Sequence, residues 1–327
     1  MESLFFKCLN ASIVLSWIII AILLIRILLK KLSKQVCFLL WGIVGLKFFI
    51  PFSYESKLSL IPSIEIFNIN DIYNRSFRIY SGISKLDDFI NNIIGSRYYE
   101  GVTVPAGTMA VVTKILSIIW IIGVVVFCIC FITNFLKMKR KLCTSIRFKD
   151  NIWESDMITS PFVFGIFRPR IYVPFNIGKN EFENIVAHER AHIKHGDHLW
   201  KLAAYFVLII NWYNPLLWIA YKKFIDDMEL ACDERVVKEL NISARKNYAK
   251  ILLNCTVNKT LVLEDQLYFG QENIKDRVIS IVNYKKQSKV IILFSVVLLF
   301  IIAACFLTNP ENSNSYSIIE LLKIINN

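Results

Sequence analysis

Long apolar runs alternate with short basic clusters along this chain, and that pattern predicts its layout before any single residue is considered. A first run from about Ser12 to Leu29 is followed by Lys30, Lys31 and Lys34; a second covers about Gln35 to Phe52 and closes at Pro51. A third, about Ala110 to Leu136, ends in Lys137, Lys139, Arg140 and Lys141, and a fourth, about Val290 to Leu307, is preceded by Lys285, Lys286 and Lys289. A bilayer core of about 30 Å needs about 20 apolar residues, so each run is read as a membrane span. Basic residues collect on the cytoplasmic side of spans. The three clusters then agree on one topology: both termini outside, residues 137–289 inside.

The stretches between spans divide accordingly. Residues 1–52 are expected to form a transmembrane hairpin. Residues 53–109, with five Lys/Arg against six Asp/Glu, form an external loop; 110–136 is the third span, 137–289 a cytoplasmic domain, 290–307 the fourth span and 308–327 a short external tail. The first run lacks a small-residue cleavage pattern and reads as a retained anchor. A fifth apolar run, residues 201–224, is interrupted by Asn211, Asn214 and Pro215. Such residues make a turn, so the run is expected to be a helical hairpin that dips into the membrane or packs on protein, and not a crossing.

Composition supports this division. The 327 residues are 55% hydrophobic, and the net charge of +12 (38 Lys+Arg, 26 Asp+Glu) marks the cytoplasmic flanks of helices, with no direct nucleic-acid contact expected. The eight cysteines show no C-x-x-C spacing, so neither a disulfide framework nor a cysteine zinc site is indicated.

The chemistry is concentrated in one place. All four histidines, His188, His192, His195 and His198, fall within eleven residues, and the first two frame His188-Glu189-Arg190-Ala191-His192, an H-E-x-x-H motif. Asn180 with Glu183 three positions on predicts a capping box that starts a helix just upstream. On a helix, residues four apart share a face, so His188 and His192 can bind one Zn2+ with Glu189 beside them as a base for water.

A catalytic zinc site needs a third protein ligand. Glu229 and Asp233, four apart on another expected helix, suit a ligand and a carboxylate that orients a ligand histidine. His198 is the rival ligand, since its spacing is that of metzincins, but their motif requires glycine at position 195, and here Gly196 stands one place late. His195 and His198 are left with a substrate or oxyanion role, or with capping the helix end. If the 201–224 run returns to its starting side, Glu229 comes back to the helix bearing His188, so topology and chemistry select the same arrangement.

Other motifs carry less. Ser160 to Pro174 reads as two short strands around an Arg-Pro-Arg turn, either a structural hairpin or an edge for an extended substrate. Ser243-Ala244-Arg245-Lys246 matches S-x-x-K without its companion motifs and is read as chance. Asn74-Arg75-Ser76 is a glycosylation sequon.

Three elements in order, SPFVFGIFRPRIYVP, AHERAHIKHGDHLWK and MELACDERVV, set among the spans, resemble the BlaR/MecR type of antibiotic-sensing membrane metallopeptidases. The resemblance implies an α-helical integral membrane protein of about four spans with a cytoplasmic α+β, gluzincin-like zinc metallopeptidase domain. It implies zinc held by His188, His192 and Glu229, with Glu189 as catalytic base. It also implies signal transduction across the cell membrane, in which an outside cell-wall or antibiotic signal triggers cleavage of the protein itself and of a cytoplasmic transcriptional repressor. Sensors of that type carry a large external penicillin-binding domain after the last span, and this sequence shows none. The signal is therefore expected to come through residues 53–109, the tail or a separate sensor partner. A CAAX-type membrane peptidase and a non-catalytic zinc-containing transducer are the alternative readings.

Overall fold

A computed structural model describes residues 1–28, 33–50, 55–61, 67, 85, 87–92, 106–175, 177–260 and 274–309. The sequon at Asn74, most of the 53–109 loop and nearly all of the tail lie outside the described residues. The described residues form α1 (Glu2–Leu28), α2 (Lys34–Phe49), α3 (Ala106–Lys141), four strands, and then α4 (Lys179–His195), α5 (Asp197–Ile210), α6 (Pro215–Val237), α7 (Ile242–Thr260), α8 (Ile274–Val282) and α9 (Lys289–Leu307).

Three of these, α1, α3 and α9, are long and apolar enough to cross a membrane. On α3, Val111, Ile115, Ile122, Ile129 and Ile132 are all more than half exposed, an apolar surface that lipid and not water would cover. The second expected span appears as α2, only 16 residues. At 1.5 Å per residue it reaches about 24 Å, short of a bilayer core.

The described residues fall into two compact units, one drawn from 1–23, 46–119 and 297–327, the other from 24–45 and 120–296. Within the first, the Lys47 ammonium donates to Leu307 O (2.9 Å) and Asn309 Oδ1 (2.8 Å), which supplies partners for a charge set in an apolar helix. Asn10 exchanges two hydrogen bonds with the backbone of Phe67.

The second unit contains a four-stranded sheet, β1 (Ile146–Lys149), β2 (Ile152–Ser155), β3 (Phe162–Phe164) and β4 (Arg170–Pro174), in the order β1-β2-β4-β3. The strands expected between Ser160 and Pro174 are β3 and β4, paired antiparallel with Val163 opposite Ile171. β2 runs parallel to β4. Central β4 is buried through Ile171, Tyr172 and Val173, as a strand covered on both faces should be. Ile152, Ile171 and Val173 pack on Val186 of α4, joined by Phe182 and Ile193, and this core fixes the helix that carries the histidines.

The expected capping box is not what starts α4. The helix begins at Lys179 with extended Gly178 at the N-cap and no side-chain cap, so Asn180 already lies inside the first turn. The other end is set by Gly196, whose φ of +68° is left-handed and favours glycine, and whose N–H reaches His192 O and Ile193 O. α5 starts at the next residue. It runs to a turn at 211–214, where Asn214 caps Leu216 N and Pro215 takes the first position of α6. The two helices pack together as a hairpin. Its turn is held on α3: Trp120 Nε1 donates to Ile210 O (2.8 Å), and Trp212 Nε1 to Trp120 O (3.3 Å). The Trp212 indole fills the space where a Cβ at Gly123 would stand.

Candidate metal centre

The hairpin returns α6 to α4, and two histidines and one carboxylate then meet at a buried point. His188 Nε2 and His192 Nε2 are 3.1 Å apart, and Glu229 Oε2 lies 3.5 Å from the first and 3.4 Å from the second. Ligand bonds of about 2.0–2.2 Å at tetrahedral angles hold ligand atoms about 3.3–3.6 Å apart; two sides of the triangle fall in that range and the third, at 3.1 Å, is slightly shorter, close to what a single zinc-sized ion needs.

Hydrogen bonds fix which nitrogen faces that point. His192 Nδ1 lies 2.7 Å from Asp197 Oδ2. A carboxylate only accepts, so Nδ1 carries a proton, and in the neutral ring Nε2 then keeps its lone pair. Tyr248 Oη donates to Asp233 Oδ1 (2.8 Å) and sits 2.8 Å from His188 Nδ1. With its one proton given to Asp233, the hydroxyl accepts from Nδ1–H, and His188 Nε2 is likewise left as a donor of electrons. Two lone pairs and a carboxylate oxygen converging on one point call for a cation. This carboxylate–histidine pattern is that of metal sites.

The charged surroundings favour positive charge at this point, whether it is carried by a proton or by an ion. Burial pushes the His188 imidazole down, but Cys232 and Glu229 draw its pKa from 6.5 up to about 10. His192 is likewise raised, against its burial, by Glu229, Cys232 and Asp197. Burial would raise Glu229, yet His192, Lys201 and Arg277 hold it well below the usual carboxylate range. Lys201 Nζ is 3.2 Å from Glu229 Oε1, and Arg277 Nη1 is 3.4 Å from Oε2.

Of the other expected site residues, Glu189 is buried on α4 between the two histidines, and Asp233 is buried one turn beyond Glu229, 3.4 Å from His188 Nδ1. His195 is exposed at the end of α4. His198 does not join the cluster: its Nε2 lies 3.2 Å from Ile166 O in the β3–β4 turn. Cys232 was not foreseen. His188, His192 and Cys232 each offer a ligand atom within 4.8 Å of the others, making the thiol a rival third ligand. Its sulfur stands 3.6 Å from His188 Nδ1, the nitrogen facing away from Glu229, and one imidazole cannot turn both nitrogens to one ion. Burial raises the Cys232 thiol, but the two histidines bring its pKa below the ordinary value.

Asp197, Tyr248 and Arg277 were also missed. Asp197 had a local signal, a carboxylate directly after the glycine that ends the metal helix. Tyr248 and Arg277 lie 60 and 89 residues from His188 and had none.

The chain is similar to known proteins. The chain is 30% identical to the Regulatory protein BlaR1 of Bacillus licheniformis over 141 residues, 41% of this chain and 24% of that protein. It is 30% identical to the Methicillin resistance mecR1 protein of Staphylococcus aureus strain Mu50 over 169 residues, 48% of this chain and 29% of that protein. Against the Regulatory protein BlaR1 of Staphylococcus aureus, identity is 26% over 361 aligned positions, 97% of this chain and 60% of that protein. The chain thus spans between about a quarter and three fifths of the length of these relatives. A family profile described as BlaR1 peptidase M56 matches residues 6–281, and the chain belongs to that family of membrane peptidases.

Proposed function

We propose that this chain is a membrane-embedded zinc metalloendopeptidase of signal transduction, which cleaves itself, a cytoplasmic transcriptional repressor, or both when a cell-wall or antibiotic signal arrives outside. The observation that carries the reading is the triangle of His188 Nε2, His192 Nε2 and Glu229 Oε2, with sides of 3.1, 3.4 and 3.5 Å. These three residues would hold the ion. When bound, zinc supplies Lewis acidity, polarising a scissile carbonyl and lowering the pKa of water toward about 7.

The chain's own groups do the rest. Glu189, in the helical turn between the two histidines, takes a proton from water and passes it to the leaving amine. Asp197 and the Asp233–Tyr248 pair keep Nδ1–H on each histidine and so keep Nε2 turned inward. β3 is an edge strand of the sheet and packs beside α4, which suits a substrate added as a further strand. His198 pins the turn that follows that strand. The relatives' names, a methicillin-resistance protein among them, support an antibiotic or cell-wall signal. The lysine clusters support placing residues 137–289 in the cytoplasm.

The test expresses wild type and Glu189→Gln beside a candidate repressor under cell-wall stress and follows intact repressor by immunoblot. Loss with the wild type and retention with Glu189→Gln is expected. Loss with both, or with neither under any stress, would refute the reading.

A further inference from the structure

Asp233 has its side chain almost wholly inside the protein, and a buried carboxylate needs a counter-charge and hydrogen bonds to remain ionised. Arg277 supplies both. Its Nε donates to Asp233 Oδ2 (2.7 Å) and its Nη2 to Oδ1 (2.9 Å), a two-pronged fork that a planar guanidinium makes and an ammonium cannot. The same group reaches the ligand atoms themselves, with Nη1 3.4 Å from Glu229 Oε2 and Nη2 3.4 Å from His188 Nε2. Glu229 and Asp233 are one helical turn apart and carry like charge, so a cation bridging both relieves their repulsion.

Arg277 arrives from far along the chain. It is carried by α8, a nine-residue helix docked through Ile281 onto Val237 of α6 and Tyr248 and Ala249 of α7. Residues 283–288 then lead directly into α9, a helix long and apolar enough to cross a membrane.

We propose that Arg277 is a positioning residue of the metal centre: by fixing Asp233, and through Tyr248 the tautomer of His188, it keeps His188 Nε2 turned to the ion, and the centre is complete only with α8 docked. This rests on the proposed zinc site. The helix that reaches back to the ligands is also the one tied to a candidate span, so displacement of α8 would loosen the site without replacing a ligand.

The test measures zinc affinity of the full chain in detergent by competition with a chromophoric chelator, with near-ultraviolet circular dichroism to verify folding. Arg277→Ala should weaken zinc binding by about 10–100-fold, the usual effect of removing a group that orients a metal ligand. Arg277→Lys should recover only part, and Asp233→Asn should fall in the same range. In the double variant Arg277→Ala/Asp233→Asn the losses should be less than additive, because the arginine's shortest bonds to the site run through the carboxylate. Wild-type affinity in Arg277→Ala or in Asp233→Asn, or additive losses in the double variant, would overturn the proposal while leaving the zinc site standing. Should Arg277→Ala fail to fold, Asp233→Asn and Arg277→Lys still decide it by the same criterion. A wild-type protein that binds no zinc would overturn the site and this inference together.

Discussion

Replacing Asp197 with Asn tests the tautomer argument on which the metal centre depends. Asp197 is 1% exposed, its Oδ2 lies 2.7 Å from His192 Nδ1, and Arg235 Nη1 approaches the same oxygen at 3.4 Å. Asparagine has nearly the same shape, and its amide oxygen still accepts a hydrogen bond, so the change removes charge and little else. A hydrogen bond to a charged group contributes about 1.5–3 kcal/mol and a neutral one about 0.5–1.5 kcal/mol. The difference, about 1–1.5 kcal/mol, corresponds to about a tenfold loss of zinc affinity. Asp197→Ala removes the acceptor altogether and should approach a hundredfold. The assay is zinc competition on the purified protein, with exposed His195→Ala as the control that keeps wild-type affinity. Wild-type affinity in both Asp197 variants would refute the reasoning, because His192 would then be held in place without its carboxylate.

Three further outcomes are expected. Glu229→Ala should abolish most zinc binding while Cys232→Ser and His198→Ala retain it; the opposite ranking of Glu229 and Cys232, read by metal content after dialysis, would make the thiol the third ligand. Reporter fusions at Asn91 and Lys259 should report opposite sides of the membrane, and a shared location would remove the basis for a cytoplasmic peptidase centre. Gly123→Ala, which drives a methyl group into the Trp212 indole, should cost about 1–3 kcal/mol by overpacking, whereas Gly45→Ala, with nothing within 4 Å of the added carbon, should be neutral or stabilising in thermal unfolding.

The parts of the fold legible in the sequence were those with a short-range physical signature. Apolar runs long enough to cross a membrane gave α1, α3 and α9, and Asn211, Asn214 and Pro215 marked the hairpin turn because each residue type disfavours continued helix. The H-E-x-x-H spacing and the Glu229/Asp233 spacing were readable because helical residues four apart share a face, and the hairpin brings those two faces together. β1 and β2 were not read: at four residues each, with β1 exposed throughout, they lack an alternating pattern long enough to stand out. The start of α4 was misplaced because a capping-box spacing is weaker information than the backbone at Gly178, which enters the helix without any side-chain cap.

What stayed hidden is the set of groups recruited by tertiary packing, and α6 shows why. The side of α6 that faces His188, with Glu229, Cys232 and Asp233, is completed by Tyr248 and Arg277, whose positions depend on how α7 and α8 dock. Its other side is also acidic. Asp227, 2% exposed, accepts from Arg26 Nη2 of α1 at 2.6 Å and Trp41 Nε1 of α2 at 2.7 Å, while Glu234 accepts from Ser33 Oγ and Gln35 N at the start of α2. Read as a string, Asp226 to Glu234 is a run of acids that a solvated helix face would explain equally well. Only the fold separates it into carboxylates that meet the histidines and carboxylates that meet the first apolar hairpin. A substitution at Asp227 or Glu234 should therefore loosen the grip of α1 and α2 on α6, and because Asp227 and Glu229 are half a turn apart on one helix, it should weaken zinc binding, read by the same competition assay, without replacing a candidate ligand.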